Sequence, residues 1–285
     1  MTDERPAPAV RTVPAALAAA VAADPTRPLL TFYDDATGER TELSGATLSN
    51  WISKTANLLI DGCGLSPGDV AAVRLPAHWQ TAAVLLGAWA AGLAIDPGST
   101  SGSPATDAGT TAGGTADGRA ADVAFVAADR VGGAPTSASD VFVLGLAPMA
   151  MPMRPAPPPG TVDYVAEVRG HGDHFAPRAP TNPTAPALGP ATHEQVIATA
   201  ADRASAAGIA PGDRVLIDAD ALPDPQDWLL TPWSPAPRSS WSATRRRTGV
   251  SPSAASPRSA SPAACPPDNR RTRKSCRLAG FRLGR

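Results

Sequence analysis

A helix–turn–strand module occurs twice in this chain and constrains its fold more than any single residue does. Residues 44–75 read SGATLSNWISKTANLLIDGCGLSPGDVAAVRL, and residues 192–217 read THEQVIATAADRASAAGIAPGDRVLI. Leu48, Trp51, Ile52, Thr55 and Leu59 recur at helical spacing in the first copy. Val196, Ile197, Ala200, Ala204 and Ala207 do so in the second. Ser44 is placed to cap the first helix, and Thr192 with Gln195 fits a capping box for the second. Gly64 and Gly208 stand where each helix should stop. Each copy then carries a Pro-Gly-Asp turn and an apolar strand. Such a repeat predicts an α/β fold, a layered sheet flanked by helices with strands fed by crossovers.

The chain changes character near Leu230. Residues 1–227 hold 13 basic and 25 acidic side chains, net −12, whereas residues 228–285 hold 12 basic side chains and the single acid Asp268, net +11. A basic terminus of this kind ordinarily suggests a nucleic-acid or membrane partner. From Thr231 onward, however, the text is mostly Ser, Pro, Arg and Ala, without helical or alternating periodicity. Lys54 and Lys274 are the only lysines among 25 basic residues, which points to a GC-rich gene. Read one base out of frame, such a gene yields this kind of text. One back-translation of Trp233–Arg245 in the neighbouring frame gives Leu-Glu-Pro-Gly-Ala-Pro-Val-Val-Leu-Val-Arg-His-Ala. Residues 231–285 are therefore expected to be a disordered basic tail produced by a frameshift, making no contact with the core. The loss of the Val-Val-Leu-Val strand is expected to leave a marginally stable product with an open sheet edge.

Residues 98–118 contain only Gly, Ser, Thr, Ala, Pro and Asp and read as a flexible linker. Residues 147–160 form a Pro-rich connector, expected to be extended. The ordered parts are then a first α/β half, 12–97, and a second, 119–230. The uncharged stretch TAAVLLGAWAAGLAI, residues 81–95, is shorter than the roughly 20 residues a bilayer requires and predicts a buried helix. Pro14–Ala23 imitates a signal sequence, but acidic residues precede and follow it. Cys63, Cys265 and Cys276 lack metal-ligand spacing, and a cytoplasmic location without a membrane partner is the default.

PLLTFYDDATGERTELSGATLSNWISKTANLL followed by GLSPGDVAAVRLPAHWQTAAVLLGAWAAGLAIDP resembles the start of adenylate-forming enzymes. That AMP-binding superfamily comprises acyl-CoA synthetases, luciferases and peptide-synthetase adenylation domains. GIAPGDRVLI resembles the stretch downstream of the family's phosphate-binding loop, and coverage extends over residues 25–97 and 161–230. The resemblance implies an N-terminal-half-like member, and ATP and Mg²⁺ as cofactors where ligase activity is retained. The departures are specific. Where the family has a Ser/Thr/Gly-rich loop ending in Pro-Lys-Gly, this chain reads TNPTAPALGPATHEQ, residues 181–195, with no lysine. Pro183, Pro186 and Pro190 each remove an N–H that such a loop would point at phosphate. STSGS and TTAGGT in the linker lack a flanking strand, helix and lysine and are decoys.

No catalytic, cofactor-binding or metal-binding residue is assigned. His171, Asp173 and His174 in GHGDHF could form a metal or acid–base cluster, but a solvated connector is the simpler reading. His193 is expected to be exposed, and His78 to cap or bound the buried helix. Asp69 and Asp213 read as turn acceptors. Arg203 and Arg214 supply charge without a loop to wrap phosphates. Three functions compete. The first is a degenerate, non-catalytic acyl-CoA-synthetase-like protein binding a small molecule or protein. The second is an acyl-activating ligase fragment needing a partner, and the third a basic-tailed nucleic-acid-binding protein. The missing phosphate loop argues against the second. The lack of aromatic–basic interleaving on a folded scaffold argues against the third.

Overall fold

The computed structural model describes residues 10–98, 119–234, 241–246 and 281–284. Helix α1 (Val13–Ala23) begins at Thr12, whose side chain accepts from the Ala15 N–H, and buries Val13, Leu17 and Ala20. Strands β1 (Pro28–Asp34) and β2 (Glu39–Ser44) form a hairpin. Its turn is closed by the Gly38 N–H donating to the Asp34 carbonyl at 2.9 Å, with Gly38 at φ +74°. There follow α2 (Gly45–Asn57), β3 (Val70–Arg74), α3 (Trp79–Ala90), β4 (Ala94–Asp96), β5 (Val123–Ala127), β6 (Asp140–Leu144) and β7 (Val162–Asp163). The remainder is α4 (Tyr164–Val168), β8 (Pro186–Leu188), β9 (Ala191–Thr192), α5 (His193–Ala206), β10 (Arg214–Asp218), β11 (Trp241–Arg246) and β12 (Phe281–Gly284).

These strands make two sheets, ordered β12-β10-β11-β1-β2 and β7-β6-β5-β3-β4-β8-β9. In the second, β3 pairs in parallel with both β4 and β5, and the parallel run continues through β6 and β7 on one side and β8 on the other. Each sheet draws strands from both sequence halves, and one hydrophobic cluster joins them. The halves at 12–97 and 119–230 are thus interleaved around a common core.

Helix α3 explains that core. It contacts β1 in one sheet and β4 in the other, and every residue from Trp79 to Trp89 is buried. A helix packed on all sides has no solvated face to accommodate charge, which accounts for its uncharged sequence. It ends sooner than 81–95 suggested: the chain turns at Gly92, φ +84°, and residues 94–96 become β4. Among the described residues no helix is long and apolar enough to cross a membrane. Where α2 crosses α3, a Cβ on Gly87 would stand 2.5 Å from the Thr55 Cβ, so glycine sets the approach of the two helices.

The repeated module folds alike in both copies. Ser44 Oγ accepts from the Thr47 N–H at 3.1 Å, and both halves of the capping box at Thr192 and Gln195 form. Gly64 and Gly208 have φ of +70° and +68°. Asp69 accepts from the Ser66 N–H at 2.8 Å, and Asp213 from the Ala210 N–H at 2.9 Å. Both aspartates are turn acceptors, as read from the sequence. The copies part at their destinations, since β3 joins the seven-stranded sheet and β10 the five-stranded one.

Two expectations are corrected here. Residues beyond 231 were expected to make no contact with the core. Instead Thr231–Trp233 forms a buried 3₁₀ turn. Strand β11 lies between β1 and β10, parallel to both, and β12 pairs antiparallel with β10. The gap between β1 and β10 presents two rows of backbone donors and acceptors, which a strand of almost any sequence can satisfy. The expected open edge at that place is therefore filled by residues 241–246. The rest of the tail, and the linker between residues 98 and 119, lie outside the described residues. The connector at 147–160 is also not simply extended. Pro148–Ala150 form a 3₁₀ turn, with Met149 and Ala150 in the left-handed region at φ 58° and 48°.

Candidate functional site

Residues 181–195 occupy the place where the resemblance expects a phosphate loop, and their backbone donors are spent internally. The Thr184 N–H donates to Asn182 Oδ1 at 3.0 Å, and the Ala185 N–H to the Asn182 carbonyl at 3.0 Å. Leu188 and Ala191 pair across the short antiparallel hairpin of β8 and β9. The Gly189 N–H is tied to the Ile95 carbonyl at 2.8 Å, which fixes the hairpin tip to β4. The His193 N–H donates to the Ala185 carbonyl at 3.1 Å and the Glu194 N–H to the Pro183 carbonyl at 3.0 Å. The first free donors of α5 are thereby occupied, together with those satisfied by the capping box.

The N-terminus of α5 is also covered. Arg11 pairs with Glu194, and the Val13 N–H donates to His193 Nδ1 at 3.4 Å. His193 is 1% exposed, against the expectation that a first-turn residue would face water. Burial pushes its pKa down to about 4, because an uncompensated imidazolium is costly away from solvent. The sequence did carry a signal for this. His193 precedes Val196, Ala200 and Ala204 by three, seven and eleven residues, and so belongs to their apolar stripe.

A second cluster gathers at the start of α3, around the His78 that the sequence placed at the helix boundary. His78 caps that helix, its Nδ1 accepting from the Gln80 N–H at 3.1 Å, and its Nε2 lies 3.8 Å from Glu39 Oε2. Glu39 Oε1 accepts from Thr41 Oγ1 at 2.7 Å and from the Trp79 indole at 3.2 Å. Burial opposes the Glu39 carboxylate, but the neighbouring His78 imidazole and the hydrogen bonds from Thr41 and Trp79 together hold its pKa below the usual range. Phe32 stands edge-on to the His78 ring at 4.4 Å. His78 Nδ1 is committed to the helix cap and the Trp79 indole to Glu39, so the cluster links β2 to the start of α3. Glu39 and His78 lie in different elements, and only the fold brings them together.

The remaining candidates take structural places. Lys54 Nζ donates to the His171 carbonyl at 2.5 Å, and Asn57 Nδ2 to the Gly172 and His174 carbonyls at 2.8 and 2.9 Å. The GHGDHF segment is thus held to α2 through its backbone, with Asp173 and His174 exposed. Among the described residues no group of three His, Cys, Asp or Glu side chains converges as metal ligands would. Arg203 pairs with Asp224 and Asp227, at 3.2 and 2.8 Å, clamping α5 to the turn at 226–230. Arg214 opens β10. Burial pushes the Cys63 thiol up to about 12, with the negative charges of Asp140 and Glu167 adding to it. At the ends of β3 and β4, Arg74 and Asp96 form a bonded pair at 2.5 Å that the sequence gave no means of matching.

The architecture matches that of adenylate-forming enzymes. An acyl-CoA synthetase from Brucella canis superposes with a TM-score of 0.58 at 17% identity, over 79% of this chain and 41% of its own. An anthranilate CoA ligase solved with anthranoyl-AMP gives 0.57 at 14% identity, over 80% and 44%. Acetoacetyl-CoA synthetase from Streptomyces lividans gives 0.60 at 15% identity, over 84% and 39%. The chain thus spans about two fifths of the length of these enzymes. No family model matches the sequence. A TIGR03089 family protein from Mycobacterium tuberculosis (strain ATCC 25618 / H37Rv) is 41% identical over 209 residues, covering 71% of this chain and 76% of that protein.

Proposed function

The chain belongs to the TIGR03089 family, and from that premise we propose that it is a degenerate, N-terminal-half-like member of the adenylate-forming superfamily that does not activate carboxylic acids. In this reading it retains the acyl-CoA-synthetase fold as a scaffold for a small molecule or a protein. The observation that carries the proposal is the hydrogen bonding of residues 181–195. A phosphate loop works by aiming consecutive N–H groups at an anion. Here those of Thr184, Ala185, Gly189, His193 and Glu194 are bound within the protein, and Pro183, Pro186 and Pro190 have none. Glu194 adds a negative charge at the helix end where a phosphate would sit. No lysine occurs between Lys54 and Lys274, and Lys54 is engaged with the His171 carbonyl. These residues do not fit ATP and Mg²⁺.

The test is ATP–pyrophosphate exchange over a panel of fatty and aromatic acids, alongside calorimetric titration of ATP with Mg²⁺. Neither exchange above a denatured control nor heat of ATP binding is expected, because removing even one well-placed transition-state donor typically costs about 10²–10³-fold. Acid-dependent exchange by the purified chain would refute the proposal. Exchange that appears only on adding a second polypeptide would establish the partner-dependent ligase fragment instead.

We propose further that the residues beyond 231 are read from a displaced frame. Ser242 stands in register with Leu30 and Val215, and Thr244 with Phe32 and Ile217, and all four neighbours are buried. The neighbouring frame supplies its apolar run, Val-Val-Leu-Val, at positions 239–242, and so puts Val in register with Leu30 and Val215. Sequencing the coding DNA decides the point, since stop codons in that frame between codons 231 and 265 would refute it.

A further inference from the structure

Strand β10 enters its sheet only through the end of the chain. Among the described residues it pairs with β11 and β12 and with no other strand, while β1 pairs with β11 and β2. The slot between β1 and β10 is therefore walled by two strands that do not touch each other, and its occupant is a separate segment. The walls carry a chemical pattern, because residues in register on adjacent strands project from the same face. The positions at Ser242 and Thr244 lie between Leu30 and Val215 and between Phe32 and Ile217, and all four of these neighbours are buried. The position at Ala243 lies between Leu216 and Thr31, which is also buried. The position at Arg245 lies between Tyr33 and Asp218, and that at Arg246 beside Asp34. Asp218 Oδ1 is buried without a hydrogen-bond partner among the described residues.

The walls thus ask for three apolar residues followed by basic ones. The apolar neighbours are covered only by apolar side chains, and a cationic donor beside Asp218 satisfies its carboxylate. Residues 242–246 read Ser-Ala-Thr-Arg-Arg, which meets the basic end of that pattern and not its apolar part. The neighbouring-frame text of the same stretch contains Val-Leu-Val-Arg-His. Freed from its link to Ser234, such a segment can move two residues along the slot. Its two valines then stand in register with Leu30 and Val215 and with Phe32 and Ile217, and its arginine beside Asp218. We propose that the slot between β1 and β10 is a binding site for an extended peptide of another chain, three apolar residues followed by a basic one, inserted parallel to both strands in place of Trp241–Arg246. The proposal rests on the displaced-frame reading for its choice of peptide, whereas the preference of the slot is set by β1 and β10.

The test uses the full chain and the synthetic peptide Ala-Pro-Val-Val-Leu-Val-Arg-His-Ala with a fluorophore at its N-terminus, read by anisotropy. One variant combines Ser242→Pro and Thr244→Pro, because proline cannot give the ladder an N–H and so withdraws the chain's own strand. This variant should bind the peptide about tenfold or more tightly than the wild type, whose tethered strand competes at high effective concentration. Adding Asp218→Asn should weaken binding about tenfold, the usual worth of a hydrogen bond to a charged group. A peptide with glutamate for arginine should bind no better than a scrambled one. If the prolines unfold the chain, the peptide should restore a cooperative melt and the scrambled peptide should not. Equal binding of the scrambled peptide, equal affinity of wild type and proline variant, an unchanged affinity in Asp218→Asn, or a proline variant neither bound nor rescued would each overturn the proposal. The coding DNA decides the frame separately, so an in-frame tail would leave the peptide result standing.

Discussion

Acidification from pH 7 to pH 4 should destabilise this protein through His193 in a window that its burial defines. The imidazole titrates near 6.5 in the unfolded chain but is pushed down to about 4 in the folded one. Above pH 6.5 both states carry a neutral ring, and the full stability is present. Between 6.5 and 4 the unfolded chain binds a proton that the folded chain refuses, so stability falls with falling pH. Below 4 both states are protonated and the loss stops growing. A difference of roughly 2.5 pKa units corresponds to about 3 kcal/mol, a large share of the roughly 5–15 kcal/mol by which domains are usually stable. The structural consequence is local, because protonating Nδ1 removes the acceptor of the Val13 N–H and loosens α1 from α5.

The assay is urea unfolding at pH 7, 6, 5 and 4 for the wild type and for His193→Gln. The glutamine carbonyl can still accept from Val13 but does not titrate. Other groups titrate in both proteins and cancel in the comparison. Among them is Glu39, whose lowered pKa withdraws stability as the pH falls below its unfolded value. The wild type should lose about 3 kcal/mol more than the variant between pH 7 and 4. Parallel stability curves for the two proteins would refute the reasoning, since they would mean that residue 193 titrates alike folded and unfolded.

Gly87→Ala should destabilise despite alanine's better helix propensity. The added Cβ would stand 2.5 Å from the Thr55 Cβ and 3.2 Å from the Ile52 carbonyl, so α2 and α3 must separate. Overpacking of this kind costs about 1–3 kcal/mol, read as a lower melting temperature; an unchanged or higher one would show that the crossing can relax.

Local chemistry was legible in the sequence. The caps at Ser44 and Thr192, the stops at Gly64 and Gly208, and the aspartate-closed turns each depend on residues within a few positions of one another. The sequence pattern also identified the uncharged segment around α3 as buried. It could not say which strands would be neighbours. The two copies of the module look interchangeable in sequence, yet β3 and β10 enter different sheets because their neighbours are set by residues far away along the chain. His193 was misjudged although its spacing placed it on the apolar stripe of Val196, Ala200 and Ala204; its hydrogen-bond partner, the Val13 N–H, lies 180 residues earlier. The likeness to adenylate-forming enzymes was carried by the order of elements, which the fold shares with the acyl-CoA synthetases it superposes on.

Strand β11 separates what a fold requires from what a sequence supplies. The space between β1 and β10 is an interior slot of a mixed sheet, and leaving it empty would strand the backbone groups of both neighbours. Filling it needs only an extended segment of about six residues, and Trp241–Arg246 meets that backbone requirement. The neighbours in register with it, Leu30 and Phe32 on one side and Val215 and Ile217 on the other, are themselves buried. At 181–195, too, backbone groups are used within the fold: the Gly189 N–H holds the hairpin tip to the Ile95 carbonyl, and the His193 and Glu194 N–H groups close onto the Ala185 and Pro183 carbonyls.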